Sequence, residues 1–221
     1  MGTTRLERRG DVYVLYLGDD ENRFNPDSVA ALAALVREVG EAPHPRALVT
    51  VGEGKFWSNG LDLDWLQASG ASLAELVAPV QELFAQVLEA DFPTVAAIQG
   101  HCYAAGAMLA LSHDARIMRD DRGFLCFPEV DIKMSFTAGM NSLLTAKLSA
   151  RTAHHAMVFA RRYTGPTALA AGIVDVTTPE SELLDAAVAY AAELAGKDPA
   201  TLQAIKRMLY APTLDLLRAA P

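Results

Sequence analysis

Cysteine and positive charge are both scarce in this sequence of 221 residues. Only two cysteines occur, Cys102 and Cys126, which are too few for a disulfide framework, so we expect a protein of a reducing compartment. Lysine and arginine total 19 against 27 acidic residues, and the formal net charge is -8. Nucleic acids and anionic membranes bind basic surfaces, so this balance excludes both as main partners.

Long hydrophobic runs are absent as well. No uninterrupted apolar run is long enough to span a bilayer. The first residues, which include Arg5, Glu7 and Arg8, lack the apolar core of a signal peptide. The last residues, Ala219 to Pro221, do not form a peroxisomal address. We therefore expect a cytoplasmic protein that does not bind membranes.

Apolar residues, by contrast, are abundant, because 51% of the chain is hydrophobic and 21% is charged. This composition supplies a packed core and gives no sign of disorder. The length fits one domain, and no linker or low-complexity tract interrupts the chain. We predict a single domain over residues 1–221.

Hydrophobic patterns along the chain predict strands and helices that alternate and then give way to helices. Strands or extended segments are predicted at residues 12–17, 47–51, 95–98, 115–118 and 124–127. Helices are predicted at residues 26–39, 73–88, 105–112, 138–147, 150–160, 166–172, 180–195 and 199–210. This order predicts an α/β fold with crossover connections and a helical C-terminal region.

A first turn with exposed backbone N–H groups is predicted after the strand at 47–51. Asn59-Gly60 is a turn signal, and Asp62 is placed to cap a helix that begins near Leu63. A tight turn between a strand and a helix directs successive N–H groups outward, where the oxygen of a ligand accepts them.

A second turn of this kind is predicted after the strand at 95–98. The small residues Ala104, Ala105 and Gly106 precede a very apolar helix, so a ligand can approach the backbone at the N-terminus of that helix. One such turn alone is usually structural. Two N–H donors that converge on one carbonyl oxygen form an oxyanion hole, worth roughly 3–4 kcal/mol per donor.

The two turns resemble a known family. Residues 57–63 (WSNGLDL) are similar to the first oxyanion segment of the crotonase (enoyl-CoA hydratase/isomerase) family, and residues 100–109 are similar to its second. The resemblance extends over about residues 12–206. It implies a spiral of ββα turns, and it implies that the N–H groups of Leu61 and Ala105 hold a thioester oxygen. The family usually has glycine where Ala105 stands.

The resemblance also assigns the acid–base groups. Relatives carry one glutamate at the start of the second helix, where this chain has Met108, and another at the position of Glu129. Met108 carries no proton. The apolar neighbours Phe127 and Val130 favour a buried Glu129 with a raised pKa. The family pattern makes Glu129 the catalytic base.

The number of carboxylates separates the reactions of this family. Hydration of a 2-enoyl thioester uses one group to hold water and another to deliver a proton, whereas moving a double bond from C3=C4 to C2=C3 needs one base. With Met108 in the first position, the resemblance is strongest to short Δ3-Δ2-enoyl-CoA isomerases. The alternatives are hydration, decarboxylation or thioester hydrolysis on the same scaffold, or a protein that binds acyl-CoA without turnover.

The resemblance implies further contacts and partners. Coenzyme A enters as part of the substrate, with no metal and no separate cofactor. Arg23 lies at the family's nucleotide-contacting turn, while Lys55 and Lys206 are other candidate phosphate contacts. Residues 166–221 are expected to form a trimerisation region beside a core of residues 1–165, in a homotrimer or a dimer of trimers. The expected substrate-binding residues are Arg23, Asn59, Gly60, Asp62, Trp65, Ala104, Gly106, Met108, Met134 and Phe136.

Three other patterns are interpreted as structural. Asp131 lies two residues after Glu129 and is expected at the surface. The run of residues 112–114 (SHD) contains the residue types of a catalytic triad, but three consecutive residues cannot face one another across a site. The pair His154-His155 lacks a third ligand at metal spacing and is expected to be solvated.

Overall fold

The computed structural model describes residues 4–221. Its strands are β1 (Arg5–Arg9), β2 (Val12–Tyr16), β3 (Ala47–Val51), β4 (Phe56–Ser58), β5 (Thr94–Ile98), β6 (His101–Tyr103), β7 (Ala115–Arg119), β8 (Leu125–Cys126) and β9 (Val176–Thr178). Its helices are α1 (Pro26–Glu41), α2 (Leu63–Ser69), α3 (Leu73–Leu88), α4 (Ala105–Ser112), α5 (Ala138–Lys147), α6 (Ala150–Val158), α7 (Gly165–Ala170), α8 (Glu180–Leu194), α9 (Pro199–Leu209) and α10 (Ala211–Arg218).

The larger of two sheets has the strand order β1-β2-β3-β5-β7-β9. Strand β1 pairs with β2 in the antiparallel direction, and the other neighbours are parallel. Strands β3, β5 and β7 are buried along their whole length, because helices cover both faces of the sheet. The helices that connect these parallel strands are the crossover connections predicted from the sequence.

The smaller sheet has the order β4-β6-β8 and is parallel throughout. Ser58 pairs with Cys102, and Tyr103 pairs with Cys126, so the carboxyl ends of the three strands lie at one edge. Strand β4 leads to the first predicted turn, β6 leads to the second, and β8 leads to Glu129. The smaller sheet thereby brings together three segments that are far apart in sequence.

Two hydrophobic cores lie on the two faces of the larger sheet. On one face Leu183, Ala187 and Ala191 of α8 pack against inward-facing strand residues such as Val49 and Val95. The other face carries the main core, formed with α1, α3, α4, α5 and α10. Helix α4 is buried on every side, which fixes its N-terminus in place.

The C-terminal helices fold back onto α3 and α5. Gln81 of α3 is fully buried and donates a hydrogen bond from Nε2 to the Leu217 carbonyl oxygen of α10 (3.1 Å). Arg218 forms ion pairs with Glu82 of α3 and with Glu89, the residue that follows this helix. The C-terminal region predicted as helical also contributes β9 to the larger sheet. No helix within residues 4–221 is both long enough and apolar enough to cross a membrane.

Several short elements were not predicted, because their sequences carry weak patterns. Strand β1 (RLERR) is a charged edge strand, and β4, β6 and β9 have three residues each. The last helix, α10, lies beyond the last predicted helix at 199–210. The helix predicted at 150–160 ends at Val158, since Ala160 takes a φ of 45°, which cannot continue a helix.

Candidate active site

The first turn connects β4 to α2 and contains Gly60 in the left-handed region (φ 82°). Phe24 donates its N–H to the Gly60 carbonyl oxygen (2.8 Å), and Asp62 donates its N–H to the Phe24 carbonyl oxygen (2.9 Å). These two hydrogen bonds form a parallel bridge between Phe24 and Leu61 that does not use the N–H of Leu61. Because N–H groups alternate in direction along an extended chain, the Leu61 N–H faces away from Phe24.

The second turn connects β6 to α4. Ala104 donates its N–H to the Cys126 carbonyl oxygen (3.0 Å) and takes an unusual conformation for alanine, with φ 51° and ψ −127°. Helix α4 begins at Ala105, and no side chain caps it. The first N–H groups of a helix have no partner within the helix, so the Ala105 N–H is available to a ligand.

Two glycines allow the turns to approach each other closely. A Cβ atom on Gly60 would lie 3.1 Å from the Ala105 nitrogen, and one on Gly106 would lie 2.7 Å from atoms of Ser58. Ser58 reinforces the first turn, because its hydroxyl donates to the Asn22 carbonyl oxygen (2.8 Å) and accepts the Gly60 N–H (3.2 Å). The two turns that carry the Leu61 and Ala105 N–H groups therefore lie next to each other.

A cavity of about 90 Å³ lies beside these turns. It brings together the three residues predicted to be catalytic, Leu61, Ala105 and Glu129. The full lining is Asn59, Leu61, Leu63, Leu73, Val77, Ala104, Ala105, Met108, Glu129, Ile132, Met134, Ser135, Thr137 and Met140. We call this cavity the catalytic pocket.

Glu129 is buried in the catalytic pocket, with 6% of its surface exposed. Its Oε2 atom has no hydrogen-bond partner among the described residues. Burial raises the pKa of Glu129 to about 7, an effect that a hydrogen bond from its own backbone N–H partly opposes. Such a carboxyl changes protonation near neutral pH, which suits a group that takes up a proton and returns it.

Glu129 lies in a turn rather than in an extended segment. Ile132 donates its N–H to the Pro128 carbonyl oxygen (3.1 Å), and Met134 donates its N–H to the Glu129 carbonyl oxygen (2.9 Å). Asp131 follows in the same turn and is exposed, as predicted. The turn also directs Ile132 and Met134 to the wall of the catalytic pocket.

Met108 lies on the first turns of α4 with only 1% of its surface exposed. Its side chain lines the catalytic pocket. Among the described residues of the lining, Glu129 is the only acidic one, so the pocket has no second carboxylate. The pocket therefore contains one group that can move protons at neutral pH and an apolar side chain where some relatives have another.

The remaining predicted site residues lie around the catalytic pocket. Asp62 caps α2 by accepting the Trp65 N–H (3.0 Å) and accepts a hydrogen bond from Asn25 Nδ2 (3.1 Å). Trp65 is half-buried on α2, and Phe136 packs against the main core. Asn59, Ala104 and Met134 line the pocket itself, whereas Gly60 and Gly106 shape the two turns.

A larger and more open cavity of about 550 Å³ lies beside the catalytic pocket. Its lining includes Arg23 and Asp62, together with Glu21 and Asp27. The Arg23 guanidinium is paired with Glu21 and with Asp64, each at 2.5 Å. The volume of this cavity exceeds that of the catalytic pocket, but its lining includes none of Leu61, Ala105 and Glu129.

The candidate phosphate contact at Lys206 was wrong. Its side chain is buried, and Nζ donates to Asp114 (2.6 Å) and to the Phe92 carbonyl oxygen (3.2 Å). Helix α9 is oriented with this lysine facing inward, so an ion pair inside the protein occupies it. Lys55 is exposed, with its ammonium group over the Phe56 ring.

The residue types of a triad at 112–114 serve the fold, as predicted. His113 is buried, and its ring bonds to the Leu109 carbonyl oxygen (2.8 Å) and to Thr50 (2.9 Å). Burial lowers its pKa to about 4, so it is neutral at physiological pH. Ser112 donates to the Met108 carbonyl oxygen (3.0 Å). Residues 4–221 contain no cluster of three or more potential metal ligands.

The catalytic pocket combines two neighbouring turns at the ends of parallel strands with one buried glutamate. Residues 8–220 match the model of the enoyl-CoA hydratase/isomerase family. The chain belongs to this family, also called crotonase, and is an acyl-CoA enzyme of that class.

Individual relatives support the assignment. The chain is 37% identical to enoyl-CoA delta isomerase 3 of Arabidopsis thaliana over 201 residues, covering 87% of this chain and 84% of the relative. It is 38% identical to the peroxisomal enoyl-CoA delta isomerase 2 of the same plant, covering 80% of this chain and 78% of the relative. The structure of an enoyl-CoA isomerase from Mycobacterium tuberculosis superposes with a TM-score of 0.90 at 27% identity, covering 98% of this chain and 95% of the other. The predicted fold is confirmed.

Sequence reasoning missed the apolar part of the pocket wall. Leu63, Leu73, Ile132 and Met140 line the catalytic pocket, although none was among the expected site residues. These residues come from α2, α3, the turn after Glu129 and α5. An apolar residue on a helix is usually part of the core, so only the tertiary arrangement distinguishes these residues from core positions.

Proposed function

We propose that this protein is a Δ3-Δ2-enoyl-CoA isomerase, which converts a 3-enoyl-CoA thioester into the conjugated 2-enoyl-CoA. The thioester oxygen accepts hydrogen bonds from the N–H groups of Leu61 and Ala105. The acyl chain enters the catalytic pocket so that its C2 and C4 atoms face Glu129. The proximity of both turns and Glu129 in one cavity supports this placement.

The reaction uses Glu129 as a proton shuttle. Its carboxylate takes a proton from C2, and the electron pair of that C–H bond spreads over a dienolate that ends on the thioester oxygen. The two N–H donors stabilise this negative charge. The protonated Glu129 then returns the proton to C4, and the double bond lies between C2 and C3. The raised pKa of Glu129 makes the carboxylate a stronger base than an exposed glutamate.

The observation that carries the proposal is the single carboxylate of the catalytic pocket. Hydration needs a second group to position water, and the apolar Met108 occupies that position. A double-bond shift needs one base, which Glu129 supplies. The Arabidopsis relatives bear the name enoyl-CoA delta isomerase, which agrees with this argument.

Coenzyme A is proposed to extend from the catalytic pocket toward the larger cavity that contains Arg23. The two cavities lie on either side of the turn that holds Asn59 and Asp62. Arg23 is partly exposed, and surface ion pairs are worth only about 0–1 kcal/mol, so it can exchange a carboxylate partner for a phosphate at little cost. No step of this mechanism requires a metal or a redox cofactor.

We also propose a homotrimer, or a dimer of trimers, in the cytoplasm. Helix α9 exposes Ile205, Met208 and Leu209, with 82% of the surface of Met208 accessible. An exposed apolar face of this kind marks a contact surface. Light scattering on the purified protein tests the assembly, and cell fractionation tests the location.

The test of the isomerase follows the absorbance of the conjugated thioester after 3-hexenoyl-CoA is mixed with the purified protein. We expect rapid growth of the signal, and a loss of about 10³-fold in kcat for Glu129→Gln, because the amide cannot accept the proton. Asp131→Asn removes an exposed carboxylate two residues away and is the matched control, with activity close to that of the unaltered protein.

Other outcomes point to other activities. No signal from folded protein that binds hexanoyl-CoA overturns the isomerase. Water addition to 2-hexenoyl-CoA then indicates a hydratase, and release of free coenzyme A indicates a hydrolase. Affinity for hexanoyl-CoA that is unaffected by Glu129→Gln, with no turnover of any enoyl-CoA, indicates a binding protein. In Met108→Glu we expect hydration activity to appear if this position separates the two reactions.

A further inference from the structure

The catalytic pocket is closed at its inner end. Val77, Met108 and Met140 form this end, and each is almost completely buried. The volume of about 90 Å³ is smaller than the engineered apolar cavity of about 150 Å³ that holds one benzene molecule. The enclosed space is therefore sufficient for the reacting carbons C1 to C4 and little more.

The outer end of the same pocket is apolar and exposed. Leu63 of α2, Leu73 of α3 and Ile132 after Glu129 all line the pocket, yet 41%, 46% and 47% of their surfaces are accessible. We call these three residues the acyl rim. Helix α2 contains no fully buried residue among its seven, although it carries Leu63, Trp65 and Leu66.

An acyl chain that is bound in the closed pocket would emerge beside the exposed apolar rim, so the chain itself can cover that rim. The part of an acyl chain beyond the reacting carbons cannot continue inward past Met108 and Met140. It can leave the pocket only toward the exposed end, where the side chains of the acyl rim offer apolar surface. Covering exposed apolar surface with methylene groups is favourable, so the rim gains stability from a longer chain.

We infer that the acyl rim of Leu63, Leu73 and Ile132 binds the tail of the substrate, so that the enzyme prefers 3-enoyl thioesters of about ten carbons to those of six. This inference rests on the proposed isomerase activity. One side of the tail stays in water, so we expect each of the additional methylenes to contribute about 1.8-fold rather than the ~4-fold of full burial. The ratio of kcat/KM for 3-decenoyl-CoA to that for 3-hexenoyl-CoA is then about ten.

The test compares the two substrates in the unaltered protein and in the variants Leu73→Ser and Ile132→Ser. We expect the decenoyl to hexenoyl ratio to fall to about three in each variant, because a hydroxymethyl group does not cover the tail. Leu169→Ser is the matched control, since Leu169 is 42% exposed on α7 and does not line the pocket. Its ratio and its hexenoyl activity should equal those of the unaltered protein.

Three results overturn the inference while leaving the isomerase intact. They are a ratio of one or below in the unaltered protein, a ratio that the rim variants do not change, and a ratio that responds to Met140→Ala instead, which places the tail at the inner end. If neither thioester is turned over, the isomerase proposal fails. The affinities of the saturated hexanoyl-CoA and decanoyl-CoA then test whether the acyl rim binds the tail. About tenfold tighter binding of decanoyl-CoA supports this role of the rim, and equal binding refutes it.

Discussion

The inner and outer halves of the catalytic pocket are built in opposite ways. The inner half holds Ala104 at positive φ and Glu129, one of whose oxygens has no hydrogen-bond partner within residues 4–221, beside a helix whose residues are all buried. The outer half, the acyl rim, consists of exposed leucine and isoleucine side chains on α2, α3 and a turn. The buried carboxyl group and the strained backbone of the pocket therefore lie in the same half.

The difference between the two halves separates what catalysis requires from what the preference among substrates requires. In the proposed mechanism the oxyanion donors must be positioned within a fraction of an ångström, and backbone groups at the ends of parallel strands and at a buried helix meet that requirement. A hydrophobic tail needs only apolar surface, which half-exposed side chains provide. Substitutions in the inner half should change the rate and the stability together, while those in the rim change the preference among substrates.

The largest effect on stability is expected for Gly106→Ala in the inner half. The added Cβ would lie 2.7 Å from the Ser58 carbonyl oxygen, Cβ and Oγ, so α4 must move away from β4. We expect the free energy of unfolding to fall by about 3 kcal/mol. Because the Ala105 N–H moves with the helix, kcat should fall by about 10²-fold. Chemical denaturation and the hexenoyl assay measure the two effects.

The matched control is Gly196→Ala, where an added Cβ meets no atom within 4 Å. We expect this variant to retain stability and activity. Equal stability losses in both variants would show that flexibility, rather than the close approach of α4 to β4, determines the need for glycine.

The elements that the sequence predicted well have strong local signals. The bounds of α3 and α5 were predicted to the residue, because Ser72 and Thr137 cap them and their apolar residues recur at helical spacing. The two turns and Glu129 were found through their resemblance to a family pattern. Periodicity alone does not bring three segments from three strands to one edge.

The acyl rim could not be predicted, because exposure depends on the tertiary structure. Leu63 and Leu73 have the residue type of core positions, and the α9 residue Ile205 does too, yet all three are exposed. Lys206, in turn, has the residue type of a surface position and is buried with Asp114. Side-chain type gives only a tendency to be buried, so residues that break the tendency are visible only in the fold.

The second-largest effect on stability is expected from the burial of the Glu129 carboxyl group. Burial raises its pKa to about 7 in the folded protein, so the folded state binds the proton more tightly than the unfolded state does. The stability that this proton contributes is present below the unfolded pKa of about 4.5 and is lost as the pH rises through about 7. Glu129→Gln does not titrate, and we expect it to exceed the unaltered protein by about 2 kcal/mol at pH 8 and by little at pH 4.5.

Denaturation curves at a series of pH values measure this difference. Met108→Leu is the control, because it alters the same pocket without a titrating group, and its difference from the unaltered protein should not vary with pH. A Glu129→Gln variant that is less stable than the unaltered protein at pH 8 would show that the carboxylate is well solvated there. In that case the inner half would not lose stability through the buried carboxylate, and the two halves of the pocket would not differ in this respect.

The smallest effect is expected for Ala104→Gly, which removes backbone strain at the second oxyanion turn. Alanine at φ 51° and ψ −127° is unfavourable, whereas glycine adopts this conformation readily. Glycine also makes the unfolded chain more flexible, so the net gain in stability should be about 1 kcal/mol.

Ala160→Gly is the control, since Ala160 has φ 45° and does not line the pocket. Both variants should gain stability, but only Ala104→Gly should change kcat, because the relaxed turn holds the Ala105 N–H less firmly. A loss of stability in Ala104→Gly would mean that packing of the Ala104 methyl group against the first turn outweighs the strain, and the inner half would then be stabilised by the feature assigned here as its cost.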